Sequence, residues 1–326
     1  MYWDTLYREK IQSAYCESTA RNFKYQCEEF VNFCAAHALQ IFPPVELNVA
    51  RYLTCASTKV SAYSTIMNKL SAVKKFYHMY GYELKTAHPA IDLLTKACKR
   101  EMSSESKPKA PIEPGHIILI SHMIDPSDIN HQLFLNALLV QFFSCVRKSN
   151  LLPASLRTFS PHKQLTSADI HVTQDGLVLT LPWTKTLQNN DDIVTIAIAQ
   201  VPGSILDPVS SYITFIRQFP MPPGMPAFSA MAGTQIKVLT QQVYIDTLKL
   251  FLKRLGLPPE AYSSHSIRRG AATALFNAGC SQKLIKYQGG WKSNCYERYI
   301  SMQHSDKLVP TKKLLNHINL KYGNNK

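Results

Sequence analysis

Apolar side chains recur every three or four positions along the N-terminal third of the chain, the spacing typical of amphipathic helices. Prolines before the second and fourth of these stretches, and Gly81 at the end of the third, mark helix boundaries. The pattern predicts four helices, over 18–37, 45–56, 64–81 and 90–102. We therefore expect residues 1–102 to form a bundle of short helices.

The next stretch, SSESKPKAPIEP, is polar and contains several prolines, which favours an interdomain linker over 103–113. Beyond it, strand-like segments around a Gln-Asp-Gly turn predict a small antiparallel sheet built from ADIHVT, LVLTLPW and DIVTIAIAQ. Helical spacing surrounds the sheet, over 114–123, 128–145, 208–219, 241–255, 266–278, 281–288 and from 295 onward. The expected fold is mainly α, with a small antiparallel β-sheet in a second domain that covers 114–326.

The charge balance is strongly basic, because 36 Lys and Arg against 22 Asp and Glu give a formal net charge of +14. Such a charge is as consistent with a polyanionic partner, usually nucleic acid, as with a merely basic soluble protein. In the N-terminal bundle, the third helix carries the side chains that we expect to face a DNA groove: Asn68, Lys69, Lys74 and Lys75.

Cysteine usage and hydropathy argue against a zinc protein, a secreted protein and a membrane protein. The eight cysteines are scattered, without CxxC pairs or histidine pairs at ligand spacing, so we expect no zinc site. Most lie within apolar helical patterns, which fits a reducing compartment. The N-terminus lacks a signal-peptide core, and the longest apolar run, LFLNALLVQFF, is too short to cross a bilayer. We expect no membrane association and a location in the nucleus if the chain is eukaryotic, otherwise in the cytoplasm.

Four basic residues and a tyrosine in the second domain share a common chemistry. They are Arg147, Lys185, His265, Arg268 and Tyr299. Arginine offers planar, bidentate donors to phosphate oxygens, and the HxxR spacing points His265 and Arg268 from one helix face. Lys185 follows a predicted strand, and a lysine on such a hairpin can protonate a leaving 5′-hydroxyl.

The tyrosine of this set is a candidate nucleophile. A phenol is mostly protonated at neutral pH, so Tyr299 needs positive neighbours and a base such as His265 to attack phosphorus. Trp291, eight residues earlier, can pack behind a phosphate or donate its indole N–H to it. Each residue alone has a plainer role: a surface arginine, a solvated turn lysine, a helix-capping histidine, or a core aromatic. Only their order and context together favour a shared site.

In that order and context, the chain resembles the tyrosine recombinase (phage-integrase) family. It is most similar to the eukaryotic branch carried by Crypton- and DIRS-type mobile elements. The resemblance covers nearly the whole chain and rests on the motifs CVRKSNL, TKT, HSIRR, GGW and YERYI. It implies a two-domain clamp on double-stranded DNA, with a helical core-binding domain in 1–102 and a catalytic domain in 114–326.

The resemblance also implies a role for each site residue. Tyr299 attacks a phosphodiester, forming a 3′-phosphotyrosine and releasing a 5′-hydroxyl. Lys185 is the general acid, and the scissile phosphate is held by Arg147, Arg268, His265 and Trp291. Because the 5′-hydroxyl of a partner strand reverses the step, the reaction requires no cofactor, no ATP and no metal.

Two features depart from the family's pattern. Asn150 stands three places after the first arginine, where many relatives have an acidic residue, and its amide can still orient a neighbour by hydrogen bonding. Trp291 precedes Tyr299 by eight residues, where many relatives have nine. Either Gly290 occupies the usual position with Trp291 shifted, or the turn is one residue tighter. Tyr296, nearly on the same helix face, is the second candidate nucleophile.

The function that follows is a site-specific recombinase or integrase of a mobile element. It would act as a homo-oligomer, a tetramer on two DNA sites, with the segment after Ser301 contacting a neighbouring protomer. One alternative is a non-catalytic DNA-binding protein derived from such an element, which covalent attachment to DNA would exclude. Another is a monomeric relaxing enzyme like the type IB topoisomerases, without site preference.

Overall fold

The computed structural model of the protein describes residues 17–102, 109–182, 194–291, 293–300 and 311. The chain divides into two compact units, residues 1–108 and 109–326. No helix among these described residues is both long and apolar enough to span a membrane. Lys185 and most of the segment after Ser301 lie outside the described residues.

The N-terminal unit consists of helices, as the apolar spacing predicts. In chain order they are α1 (Glu17–Ala36), α2 (Glu46–Ser57), α3 (Tyr63–Met79) and α4 (Pro89–Glu101). Helix α4 begins where His88 accepts a hydrogen bond from the Ala90 N–H and Pro89 supplies the first helical residue. The helices enclose a core of Phe30, Leu53, Ile66, Val73 and Ile91, all fully buried.

One lysine of helix α3 lies in that core rather than on the surface. Lys69 is buried, its ammonium group bonds the carboxylate of Glu29 on α1, and it lies 5.9 Å from the ring centroid of Tyr52. The prediction that Lys69 faces a DNA groove is therefore wrong, because the ion pair draws its side chain inward. Lys74 and Lys75 are exposed on the opposite face, as is the side chain of Asn68.

The second unit mixes helices with two small sheets. Its helices are α5 (Pro114–His122), α6 (Ile129–Ser144), α7 (Lys148–Leu151), α8 (Pro208–Gln218), α9 (Gln241–Arg254), α10 (Ser264–Asn277) and α11 (Gln282–Gly289). Single 3-10 turns cover Leu156–Thr158, Ser167–Asp169, Pro259–Ala261 and Asn294–Arg298. The last of these turns covers the start of the helical stretch predicted from residue 295 onward, and most of the remainder of that stretch lies outside the described residues.

The larger sheet is the one that the sequence pattern predicts. Its strands are β1 (Ile170–Thr173), β2 (Gly176–Leu181) and β3 (Val194–Ala199), antiparallel in the order β1-β2-β3. Apolar residues of β2 and β3 point alternately into the core, as period-two spacing requires. A second antiparallel pair, β4 (Ser229–Ala232) with β5 (Gln235–Val238), was not predicted. The mainly α fold with small antiparallel sheets is confirmed.

Helix α6 is the central element of this unit. Most of its residues from Leu133 onward are buried, and it packs against α8 and α10. Because buried apolar and polar residues lie on all sides of the helix from Leu133 onward, this part of it has no solvent-exposed face. The helix ends at Ser144, and Arg147, a predicted phosphate-binding residue, follows three residues later.

Candidate active site

The chain reverses direction directly after helix α6. Cys145 adopts the left-handed conformation, with φ 54° and ψ 17°, which a non-glycine residue rarely adopts. Two residues later, Arg147 is extended and caps the short helix α7, where the N–H of Asn150 donates to its carbonyl at 2.9 Å. The turn therefore places the Arg147 side chain, half-buried, at the rim of the core.

Helix α10 carries the HxxR pair. It begins with reciprocal capping: the His265 N–H donates to the Ser263 hydroxyl, and the Ser263 N–H donates to the Ser266 hydroxyl. His265 in the first turn is exposed, whereas Arg268, one turn further, is only 2% exposed. Both side chains line the same pocket as Arg147.

The guanidinium group of Arg268 joins three parts of the chain. It donates from Nη1 to the Cys145 carbonyl and from Nη2 to the Gly289 carbonyl at 2.6 Å. Its Cζ lies 4.0 Å from the ring centroid of Trp291, a cation–π contact. Its buried Nε has no hydrogen-bond partner among the described residues. Arg268 thus remains able to donate further hydrogen bonds beside the pocket.

The tryptophan of the GGW motif owes its position to both glycines. A Cβ on Gly289 would lie 1.9 Å from the Trp291 ring, so only glycine permits the ring to fold back onto Arg268. Gly290 ends helix α11 in the left-handed conformation, with φ 59°. The structure thus has Trp291 against Arg268 and Gly290 in the turn.

The two candidate tyrosines occupy different environments. The Tyr299 hydroxyl lies 3.4 Å from His265 Nδ1, and its ring centroid is 5.6 Å from that of Trp291 and 5.8 Å from Arg268 Cζ. Its carbonyl accepts a hydrogen bond from the Thr273 hydroxyl at 3.2 Å. Tyr296 is only 1% exposed and belongs to the core, with its ring centroid 6.1 Å from that of Trp291. The geometry favours Tyr299 as the reactive hydroxyl.

The pocket among these residues has a volume of about 180 Å³. Its lining is Gln141, Val146, Arg147, Lys148, Ser149, Ser264, His265 and Arg268. The volume is several times the roughly 30 Å³ share of one liquid water, so a group of phosphate size can enter. The lining residues include three permanently or normally cationic side chains and no carboxylate.

The charges in this pocket create a binding site for an anion. Burial and then the charge of Arg147 lower the pKa of the Arg268 guanidinium, and burial lowers the pKa of the Lys148 ammonium. Among the described residues, no carboxylate forms an ion pair with either arginine. Since two like charges lie together without a carboxylate partner in the described part of the chain, a phosphate would stabilise both.

Predicted site residues from separate parts of the chain therefore meet here: Arg147, His265, Arg268, Trp291 and Tyr299. Asn150 is buried in α7, and its carbonyl accepts the Leu165 N–H at 2.8 Å, so it stabilises the turn behind Arg147. Lys185 falls between β2 and β3, outside the described residues. No three His, Cys, Asp or Glu side chains of the described chain are grouped so as to hold a metal ion.

Three further residues at the site escaped prediction from sequence. Lys148 lines the pocket, but a lysine after an arginine carries no distinctive pattern. The only sequence signal for Gly289 was its place in the Gly289-Gly290 pair. Gln141 had the clearest signal, since it interrupts an otherwise apolar run, and it is completely buried at the back of the pocket.

No protein-family model matches this sequence, and no curated protein matches it. Solved structures match the fold across nearly the whole chain. The Tn1549 transposon integrase in complex with transposon right end DNA is 15% identical, with a TM-score of 0.64 over 95% of this chain and 98% of that one. The XerH site-specific recombinase bound to difH substrate is 12% identical, with a TM-score of 0.57 over 90% and 78%. A lambda integrase dimer bound to a COC′ core site is 12% identical, with a TM-score of 0.51 over 93% and 95%.

These similarities, at such low identity, define the fold and nothing more. The chain shares the fold of these solved structures, and its second unit is helical with small antiparallel sheets.

Proposed function

We propose that this protein cleaves and rejoins DNA strands as a tyrosine recombinase, with Tyr299 as its nucleophile. The observation that carries the proposal is the contact between the Tyr299 hydroxyl and His265 Nδ1, at 3.4 Å, beside the buried guanidinium of Arg268. The nucleophile, a base and a phosphate-binding group thus lie within reach of one another, as the reaction requires.

The chemical step follows from these positions. With Nδ1 of His265 unprotonated, it accepts the phenolic hydrogen as the Tyr299 oxygen attacks phosphorus. The bond from phosphorus to the 5′-oxygen breaks, which leaves a 3′-phosphotyrosine and a 5′-oxygen that takes up a proton. Arg147 and Arg268 stabilise the charge that develops on the non-bridging oxygens. The 5′-hydroxyl of a partner strand reverses the reaction.

Two residues complete the mechanism. Lys185, in the segment between β2 and β3, is the general acid that protonates the leaving 5′-oxygen; its place in the TKT motif supports this role. Trp291 stacks on Arg268 and so holds its guanidinium group against the phosphate. The distance of 4.0 Å between the guanidinium carbon and the ring centroid supports that assignment.

In this proposal the substrate is double-stranded DNA, and the protein is a mobile-element recombinase most like those of Crypton- and DIRS-type elements. The net charge of +14 and the exposed Asn68, Lys74 and Lys75 on α3 support DNA binding. So does the likeness to three recombinases and integrases whose structures contain DNA. A tetramer on two sites, protomer contacts through the segment after Ser301, and a nuclear location in a eukaryotic host belong to the same proposal.

A covalent-trapping experiment tests the proposal. A nicked duplex from the flanks of the source element loses its 5′-hydroxyl fragment after cleavage, so a phosphotyrosine adduct accumulates and survives denaturation. The wild type should form this adduct, whereas Tyr299→Phe should bind the duplex equally well and form none. Tyr287→Phe, which removes an exposed hydroxyl from α11, is the matched control and should retain adduct formation.

If the wild type binds these ends and never forms an adduct, the protein is a DNA-binding protein and the enzymatic proposal is wrong. Adducts formed equally on any duplex, by a monomer, would favour a relaxing enzyme instead. Binding should also weaken steeply with salt, with a log–log slope of about −0.9 for each neutralised phosphate. A flat dependence on salt would contradict the DNA interface.

A further inference from the structure

Two polar side chains lie buried directly behind the candidate active site. Gln141 on α6 and Tyr244 on α9 are both fully inaccessible to solvent. The Tyr244 hydroxyl donates to Gln141 Oε1 at 2.7 Å, and Gln141 Nε2 donates to the Val146 carbonyl at 3.2 Å. The orientation of the amide is fixed, because a carbonyl can only accept and must therefore face the nitrogen.

This chain of hydrogen bonds ends on the turn that carries Arg147. Three consecutive carbonyls in the turn each accept a hydrogen bond from a different element. The Cys145 carbonyl accepts from Arg268, the Val146 carbonyl from Gln141, and the Arg147 carbonyl from the Asn150 N–H. Side chains of α6 and α10 thus bond the same short stretch of backbone, and Tyr244 of α9 acts on it through Gln141.

The turn needs such support because its backbone is strained. Cys145 holds a left-handed conformation without being glycine, with φ 54°, and such a residue persists only where its surroundings stabilise it. Arg268 fixes the carbonyl of Cys145 itself. Gln141 fixes the next peptide unit, which determines the direction in which Arg147 leaves the turn.

Tyr244 keeps the Gln141 amide in this orientation at every pH at which its hydroxyl remains protonated. Burial raises the pKa of the Tyr244 hydroxyl well above its usual value, so the group remains a donor. Its ring packs 5.5 Å from that of Phe134, which holds it within the core. The pair is therefore a rigid support rather than a titrating group.

We propose that Gln141 and Tyr244 are positioning residues that hold the 145–147 turn so that Arg147 and Arg268 face one phosphate. The consequence for catalysis rests on the proposed recombinase function. The support of the turn itself does not, since it is a property of the folded chain alone.

Amide hydrogen exchange of the free protein tests the support of the turn. Tyr244→Phe removes one hydroxyl and leaves the ring in place, so exchange over residues 145–150 should accelerate by about tenfold or more. Tyr212→Phe is the matched control: Tyr212 is also a buried tyrosine of this unit, 1% exposed, and is not among the residues that line the pocket. Its substitution should leave that segment unchanged. Equal exchange in both variants would overturn the proposal whether or not the protein cleaves DNA.

A double-mutant cycle on adduct formation tests the positioning role. At saturating nicked duplex, Tyr244→Phe should slow attachment by roughly 10- to 100-fold, the scale expected for a misplacement of about 1 Å, with DNA affinity unchanged. In the presence of Arg147→Lys, the same change should slow attachment less than threefold, because it acts through Arg147. Gln141→Met should behave like Tyr244→Phe.

The outcomes of these two experiments separate the two proposals. An equal slowing with and without Arg147→Lys would show a general structural role and overturn the positioning role. A wild type that forms no adduct would refute the recombinase function, while hydrogen exchange still decides whether the pair supports the turn.

Discussion

Substitution of Gly289 by alanine tests the packing of the site without removing any functional group. The added Cβ would lie 1.9 Å from Trp291 Cζ3 and 2.1 Å from Cε3. Ordinary carbon contacts lie at about 3.5–4.0 Å, so the ring must move by roughly 1.5–2 Å. Trp291 is only 5% exposed and rests on Arg268, so this movement would separate the ring from the guanidinium.

The expected cost combines three contributions. Overpacking a core costs about 1–3 kcal/mol, and loss of the cation–π contact costs about 0.5–2 kcal/mol. Alanine recovers about 0.5–1 kcal/mol over glycine at a helical position. The free energy of unfolding should therefore fall by about 0.5–4.5 kcal/mol, measurable as a lower urea midpoint at constant m-value. The protein stays folded, because typical domains have about 5–15 kcal/mol of stability.

Two further variants separate the clash from a general effect of alanine. Gly290→Ala has open space around the new Cβ and only the strain of φ 59°, about 1–2 kcal/mol, so it should destabilise the protein but preserve adduct formation. Combined with Trp291→Ala, Gly289→Ala should cost nothing, because the ring that it strikes is gone. If Gly289→Ala destabilises the protein equally with and without Trp291→Ala, the packing explanation is wrong.

Three other predictions concern groups outside the catalytic chemistry. Glu29→Ala leaves the Lys69 ammonium buried without its partner and should lower the free energy of unfolding by about 1–3 kcal/mol. Lys74→Ala, on the exposed face, should change it little, and equal effects of the two substitutions in urea unfolding would contradict the buried ion pair. Burial raises the pKa of the Cys145 thiol to about 12, so a neutral-pH alkylating reagent should modify exposed Cys295 in the native protein and Cys145 only after unfolding. Peptide mass spectrometry locates the modified cysteines, and modification in the opposite order would contradict this prediction. Burial also raises the pKa of several tyrosine hydroxyls, which contributes stability that is fully present below pH about 10 and is lost as pH rises through the folded pKa. Stability should therefore fall in alkali as tyrosinate absorbance rises, and unchanged stability above pH about 11 would refute this prediction. These tyrosines are Tyr52, Tyr77, Tyr212 and Tyr244.

Periodic patterns in the sequence were sufficient to predict most elements. Helices α1 to α4 match the predicted bounds within two residues, and β1, β2 and β3 form the expected antiparallel sheet. The pair β4–β5 was missed because each strand has only four residues, and β4 consists of serine, alanine and methionine, which have little preference for strands. Short strands of this kind depend on tertiary contacts that no local pattern encodes.

Some site residues could be identified from local motifs, whereas others depend on contacts between residues far apart in the sequence. The HxxR pair and the GGW motif are local phrases, so their residues could be identified before the fold was known. The buried position of Lys69 depends on Glu29, 40 residues away, and could not be predicted. The support of Arg147 by Gln141 and Tyr244 spans 103 residues between its two members, and the polar residue in an apolar helix was its only sequence signal.

The position of the covalent bond to DNA tests the proposed chemistry most directly. A trapped adduct, digested with protease and nuclease, yields a peptide that retains a nucleotide on one tyrosine, which tandem mass spectrometry locates. We expect the nucleotide on Tyr299, whose hydroxyl faces His265 at 3.4 Å. A nucleotide on Tyr296, which is buried in contact with Trp291, or on any other residue would contradict the arrangement of this active site.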